Sequence, residues 1–175
     1  IRTGGSPEEL RTAQYWQDKI AGLGLKAEIV PFDVPMSRIQ EAVLQVDGVE
    51  VTCKGYLCAG SGEVEAPFYY LRDSSPYALS KCRGKIVMID GYLGYWVYHD
   101  LLENGAVGFV TYDGNTNYAD RDIDQRELRS YVHNGNRIPG VNINAKDAVE
   151  LIRRGASTAK ITLKQEEYTG QSHNV

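Results

Sequence analysis

The 175-residue chain is poor in the features that narrow function at sight. It has three cysteines, Cys53, Cys58 and Cys82, an odd number that allows at most one internal disulfide. Cys53 and Cys58 stand too far apart for a C-x-x-C pair and no second pair follows, so ordinary half-buried thiols are expected before a disulfide, and a zinc site last. No apolar run reaches the roughly 18 residues that a membrane-spanning helix needs, and the chain does not open on a charged and then apolar leader. Lysine and arginine number 19 against 23 aspartates and glutamates, for a net charge of −4. The basic residues are scattered, with no run that could follow a phosphate backbone, which argues against a nucleic-acid partner. Asn-x-Ser/Thr sequons are absent, so glycosylation gives no clue to compartment.

Catalytic vocabulary is equally sparse. Ser74, Ser75 and Ser80 lack a Gly-x-Ser-x-Gly setting, and no cysteine has a histidine beside it in sequence. His99 and Glu103 stand four apart, a spacing that can ligate a metal, but no third ligand is near; a hydrogen-bonded surface pair is the expected outcome. His133 falls in an unpatterned stretch, and His173 lies beside a polar tail. Asp120, Asp122 and Asp124 alternate as in a calcium loop, yet Gln125 and Tyr131 occupy the positions that need glycine and glutamate. Gly91-x-x-Gly94 could leave backbone N–H groups for an anion, although a turn alone explains it. No residue is therefore assigned a catalytic or metal-binding role, and no cofactor is expected in this chain.

What is present is regular structure. Ser6-Pro7-Glu8-Glu9 has the chemistry of a helix start, with Ser6 as cap, Pro7 at the first helical position and Glu9 closing a capping box. Leu10, Ala13, Trp16, Ile20 and Leu23 mark one face of a helix over 7–23 that Gly24 ends. Lys26 to Phe32 then alternates as a strand ending near Pro31 and Pro35. Ile39 to Val46 and Val49 to Lys54 alternate about Asp47-Gly48, a strong hairpin signal, and Val64 to Leu71 follows the Gly60-Ser61-Gly62 break. Ser75 to Cys82 reads as a short helix or turn.

Ile86 to Ile89 is a continuous apolar run between Gly84 and Gly91, as expected of a strand covered on both faces, and Val107 to Val110 repeats it. Val97, Leu101 and Leu102 recur at helical spacing between them, and Gly105 sits where a helix C-terminus prefers positive φ. The unit reads as strand, helix, strand, with a right-handed crossover between parallel strands. Ile138 to Ile143 is a further strand, Ala145 to Arg154 a helix with Ala148, Leu151 and Ile152 inward, and Ala159 to Leu163 a last strand. Residues 114–137 are rich in Gly, Asn, Asp and Arg; they read as a solvated insertion, with a partner-contacting lid as the alternative and one helical turn at Leu128 to Val132.

Aromatics are the one enriched class of binding group, with 12 tyrosines. Tyr92, Tyr95, Trp96 and Tyr98 cluster between strand and helix, where rigid rings make contact at low entropic cost. Tyr92, Tyr95 and Trp96, with Asp120, Arg121 and Arg126 of the insertion, are the candidate partner- or substrate-facing residues.

The order of three segments carries a resemblance. Gly84-Lys-Ile-Val-Met-Ile-Asp-Gly, the helix that ends Glu103-Asn-Gly-Ala-Val-Gly-Phe-Val-Thr-Tyr-Asp, and Ile138-Pro-Gly-Val-Asn-Ile before a helix together resemble the protease-associated (PA) domain over residues 36–164. The flanks resemble a zinc aminopeptidase family related to glutamate carboxypeptidase: Ile1-Arg-Thr-Gly-Gly-Ser-Pro-Glu-Glu before the first helix, and Ser172-His-Asn-Val175 at the start of its next strand. The resemblance implies a mixed α+β fold, a small β-sandwich or open barrel flanked by short helices, plus an N-terminal helix from the peptidase flank. It implies three parts: 1–35 as the N-terminal peptidase flank, 36–164 as the PA domain, and 165–175 as the return linker. The implied function is a non-catalytic domain that covers the active-site cleft of a zinc exopeptidase and influences substrate access or protein contacts. Its partners would be the rest of its own peptidase domain and, with it, peptide substrate, at the cell surface or outside the cell. The family's zinc ligands lie beyond the Asn-Val strand, so zinc is expected in that other domain. The alternative is an independent peptide- or carbohydrate-binding module.

Overall fold

The computed structural model describes residues 4–91, 93–112 and 122–175. Helix α1 (Pro7–Gly22) starts as its sequence dictates: Ser6 is extended and its Oγ accepts from the Glu9 amide at 3.2 Å. The reciprocal half of the capping box is not made, because the Glu9 carboxylate is engaged with Ser172 and His173 instead. Leu23 caps the other end, followed by Gly24 at φ +77°.

Strands β1 (Val30–Val46), β2 (Val49–Val51), β3 (Cys53–Gly55) and β4 (Gly62–Leu71) make up the β-rich front half. The body continues with a short α2 (Pro76–Leu79) and a 3-10 turn, then β5 (Ile86–Asp90), α3 (Tyr95–Glu103), β6 (Gly108–Tyr112), α4 (Ser130–His133), β7 (Gly140–Ile143), α5 (Ala145–Arg153) and β8 (Thr158–Asn174). The eight strands form one sheet in the order β2-β1-β8-β4-β5-β6-β7-β3. Its two end strands are consecutive in the chain, separated only by Thr52, so the sheet curls into a nearly closed barrel. The mixed α/β class expected from the sequence is the class observed.

Val87 pairs with Phe109 and Asp90 with Tyr112 in parallel, so the strand-helix-strand unit read from the glycine-bounded apolar runs is present as β5-α3-β6. All of β5 except Asp90 is buried, which is why it carries no polar alternation. The Asp47-Gly48 turn is a two-residue loop between Val46 and Val49 with both residues at positive φ, as a right-twisted hairpin requires.

Three strand boundaries differ from the sequence reading. Val49 to Lys54 is not one strand: β2 pairs with β1 while β3 pairs with β7, because the chain turns a barrel corner at Thr52. The strand expected from Lys26 begins only at Val30, and it is joined to Ile39–Val46 in a single β1 that runs through Pro31 and Pro35. Those prolines share one parity, so both missing donors fall on one edge, and β2 pairs only with Leu44 to Val46. Strand β8 does not stop at Leu163 but continues to Asn174, through Lys164, Gln165, Glu166 and Glu167, where apolar alternation has ended.

The chain divides into two compact units. Unit 1 comprises 1–37 and 167–175; unit 2 comprises 38–166. The core lies in unit 2, where Leu44, Tyr56, Ile86, Met88, Tyr98, Leu101, Phe109, Ile143, Ile161 and Leu163 are fully or almost fully buried. Helix α3 contributes Tyr98 and Leu101; the Tyr98 hydroxyl donates to the Asn136 carbonyl at 2.8 Å and accepts from the Ile138 amide at 3.2 Å. Gly140 is required where it stands, since a Cβ there would fall within the Phe109 ring, its partner across the β6-β7 ladder.

Candidate functional site

Two places in the described residues carry groups suited to recognition, one in each unit. In unit 2, α3 begins at Gly94 without a side-chain cap and presents Tyr95 and Trp96 at once. Trp96 is 78% exposed and Tyr95 39%, and their rings meet edge to face at 5.1 Å. One turn on, His99 lies tilted under Tyr95 with ring centroids 4.3 Å apart. Its Nε2 is buried and has no hydrogen-bond partner among the described residues. The expected His99–Glu103 hydrogen bond is therefore not formed: the imidazole packs on the tyrosine ring one turn back rather than reaching the carboxylate one turn forward.

Of the other sequence candidates, Tyr92, Asp120 and Arg121 lie outside the described residues. Arg126 belongs to a strap laid along the barrel. Its carbonyl accepts from the Leu57 amide at 2.9 Å, its guanidinium lies 3.7 Å from Asp124, and Leu57 and Glu127 form a parallel bridge. Neighbouring anchors hold the same strap: Gln125 Nε2 donates to the Gly55 carbonyl at 2.6 Å, and Asn142 Nδ2 to the Asp124 carbonyl at 3.0 Å. Beneath it, Thr111 Oγ1 donates within a buried network to Asn142 Oδ1 at 2.8 Å and lies 2.9 Å from the Tyr56 hydroxyl. Asp122 is paired with Lys54 at 2.7 Å, and that ammonium holds its carboxyl below the usual range.

At the C-terminal ends of the parallel strands stands a polar cluster that the sequence reading passed over. Asp90 and Tyr112 are register partners on β5 and β6, and Tyr70 belongs to the neighbouring β4. Burial first, then the Tyr70 hydroxyl and the Asp90 carboxylate, push the Tyr112 hydroxyl up.

In unit 1, α1 and the end of β8 enclose a groove of about 440 Å³ lined mainly by Ala13, Trp16, Ile20, His173 and Val175. Glu9 ties its wall together: the carboxylate accepts from the His173 amide at 2.8 Å and from Ser172 Oγ at 3.1 Å, and lies 3.0 Å from His173 Nδ1. The His173 side chain, foremost, and its amide hold the Glu9 carboxyl below its ordinary value. The two ends of this contact are too distant in sequence for any local pattern to reveal it.

The groove is part of a wider unpartnered surface. Of the face Leu10, Ala13, Trp16, Ile20 and Leu23, only Ala13 is buried; Trp16 is 54% exposed and Leu23 77%. Leu25, Val30 and Phe32 add to the exposed apolar residues of the same unit.

Chemistry of bond making is thinly supplied. All three cysteines are free thiols, and burial pushes Cys53 up to about 11 and raises Cys82, which leaves both poor nucleophiles at neutral pH. Among the described residues, no three of His, Cys, Asp and Glu converge as a metal ion would need. None of their helices is long and apolar enough to cross a membrane.

No protein-family model matches this chain, and no curated protein does. Solved structures do. An aminopeptidase from Aneurinibacillus sp. strain AM-1 superposes over 98% of this chain and 42% of its own, with a TM-score of 0.70 and 21% identity. BSAP, a zinc aminopeptidase from Bacillus subtilis, gives 98% and 41%, a TM-score of 0.69 and 21% identity. A peptidase M28 precursor from Shewanella amazonensis SB2B gives 99% and 46%, a TM-score of 0.66 and 19% identity. The chain thus shares the fold of one part of these peptidases and spans less than half of their length.

Proposed function

We propose that this chain is the accessory, non-catalytic part of a larger zinc exopeptidase, with residues 36–164 as a PA domain that covers the active-site cleft and shapes substrate access or protein contacts. One observation carries the reading: nearly the whole chain superposes on about two-fifths of an aminopeptidase. In this reading residues 1–35 and 165–175 are the flank and return linker of the peptidase domain, and the exposed face of α1 is where the rest of that domain packs. In this reading zinc would be held by that other part, and no catalytic step is assigned to this chain. The setting proposed is extracellular or at the cell surface.

The decisive experiment measures hydrolysis of aminoacyl anilides with added zinc by this chain alone and by a longer form of the protein. Expected is no turnover by the chain alone, and turnover by the longer form that changes in substrate preference when 38–166 is excised. Turnover by the isolated chain would overturn the proposal. An independent peptide- or carbohydrate-binding module is the second reading, favoured by the exposure of Trp96. Excision that leaves substrate preference unchanged would move the weight to it.

A further inference from the structure

Helix α3 has a composition that its packing does not explain. Its inner face is spent on Tyr98 and Leu101. Its outward face runs through Trp96, Asp100 and Glu103, four and then three residues apart, which places the three side chains in one row. Trp96 and Glu103 are exposed and Asp100 is half-buried. Between Tyr95 and Glu103 the helix contains no lysine or arginine, and among the described residues neither carboxylate is in an ion pair. Arg83 lies against Gly105, just beyond the helix end.

A tryptophan this exposed costs solubility and contributes no packing of its own, while its ring face is the strongest aromatic acceptor for a cation. The neighbouring Tyr95 braces it edge to face and is in turn braced by His99, so the indole stands on a stacked support. Two carboxylates continue the row along the helix. Charge and ring faces together fit a partner that brings positive charge on an apolar stem, which is the chemistry of arginine and lysine side chains.

We infer that the Trp96–Asp100–Glu103 face of α3 is a docking surface for an arginine- or lysine-bearing polypeptide segment, with Trp96 receiving the cationic group and the carboxylates fixing its direction. This goes beyond the proposed peptidase role and does not depend on it, since every residue used belongs to one helix of unit 2. Solvent screens each contact, so the affinity is modest and depends on salt.

The test follows the two tryptophan indole N–H signals of the whole chain by NMR while an acetylated pentapeptide with two arginines among glycines is added. The expected result is a saturable shift of Trp96 with Trp16 unmoved. Read from the backbone amide shifts of α3, which persist when the indole is removed, binding should fall roughly threefold in Trp96→Ala, about twofold in Asp100→Asn or Glu103→Gln, and roughly tenfold when all three changes are combined. The same peptide with citrulline in place of arginine should bind at least about threefold more weakly, and a glutamate version should not shift Trp96. Equal binding of the citrulline peptide would show an apolar or neutral occupant and overturn the inference. So would undiminished arginine binding in the combined variant, or an unmoved Trp96 signal at saturating peptide. Trp96 and Glu103 are exposed, so these variants are expected to keep the fold.

Discussion

Unit 2 and unit 1 are built from the same chain on opposite principles. In 38–166 the barrel and its covering helices close a core that is continuous from Leu44 to Leu163, with Tyr77 and Trp96 among the large side chains left exposed. In 1–37 with 167–175, the buried set among the described residues is Ala13 and Ser172, while Trp16, Leu23, Leu25, Val30 and Phe32 face outward. The first is the pattern of a body that closes its own core; the second leaves its apolar face exposed among the described residues. The difference teaches that periodicity predicts a face, and not that this chain supplies what the face packs against.

The contrast breaks most visibly under truncation of a leucine in each unit. Leu101→Ala removes a fully buried side chain and should cost about 2–5 kcal/mol, while Leu23→Ala, at an exposed site, should stay within about 0.5 kcal/mol. Urea denaturation of the two variants measures both, and comparable losses would show that unit 1 packs more of its own surface than the contrast allows.

A smaller effect is expected where the barrel is pinned by charge. Asp47 Oδ1 accepts from the Thr158 amide at 2.9 Å, from the Ser157 amide at 3.1 Å and from both hydroxyls, and these bonds, led by the Thr158 amide, bring its pKa down to about 2 from 3.8. A depressed carboxyl stabilises the fold above its unfolded pKa, and that contribution is lost as pH falls from about 4 towards about 2. Asp47→Asn should therefore flatten the part of the stability profile in that window and leave the slope near neutrality unchanged. Denaturation midpoints at half-unit steps from pH 2 to 5, about the range set by those two values, are the measurement.

The smallest effect belongs to unit 1. Glu9→Gln weakens the tie to Ser172 and His173 and should speed amide exchange around 171–174 and the first turn of α1, with the protection of β5 and β6 unchanged. Slowing of exchange there, or loss of protection in β5, would contradict a local role for the Glu9 contact.

Legibility followed burial. The β5-α3-β6 unit was readable because buried strands must be apolar throughout and the helix between them must turn one stripe inward. The hairpin was readable because Asp47-Gly48 suits two positive φ angles in succession. The second half of β8 was not, since Lys164 to Glu167 lack the alternation that burial imposes. Of the candidate site residues, Tyr95 and Trp96 meet edge to face at the start of α3, while Arg126 is drawn into the strap along Leu57. The Glu9–His173 contact joins opposite ends of the chain, and Glu9 carried an equally good local explanation as a capping residue.

By itself the sequence determined most of the elements: period, caps and turn residues act within a few positions, so the helices and the central buried strands could be specified locally, while the bounds of β1, β2, β3 and β8 could not. Only the tertiary structure decided the strand order, the corner at Thr52 that closes the barrel, and which apolar face stays without a partner. These depend on pairing between distant segments and on the surface left over after the core is filled, neither of which a local pattern encodes.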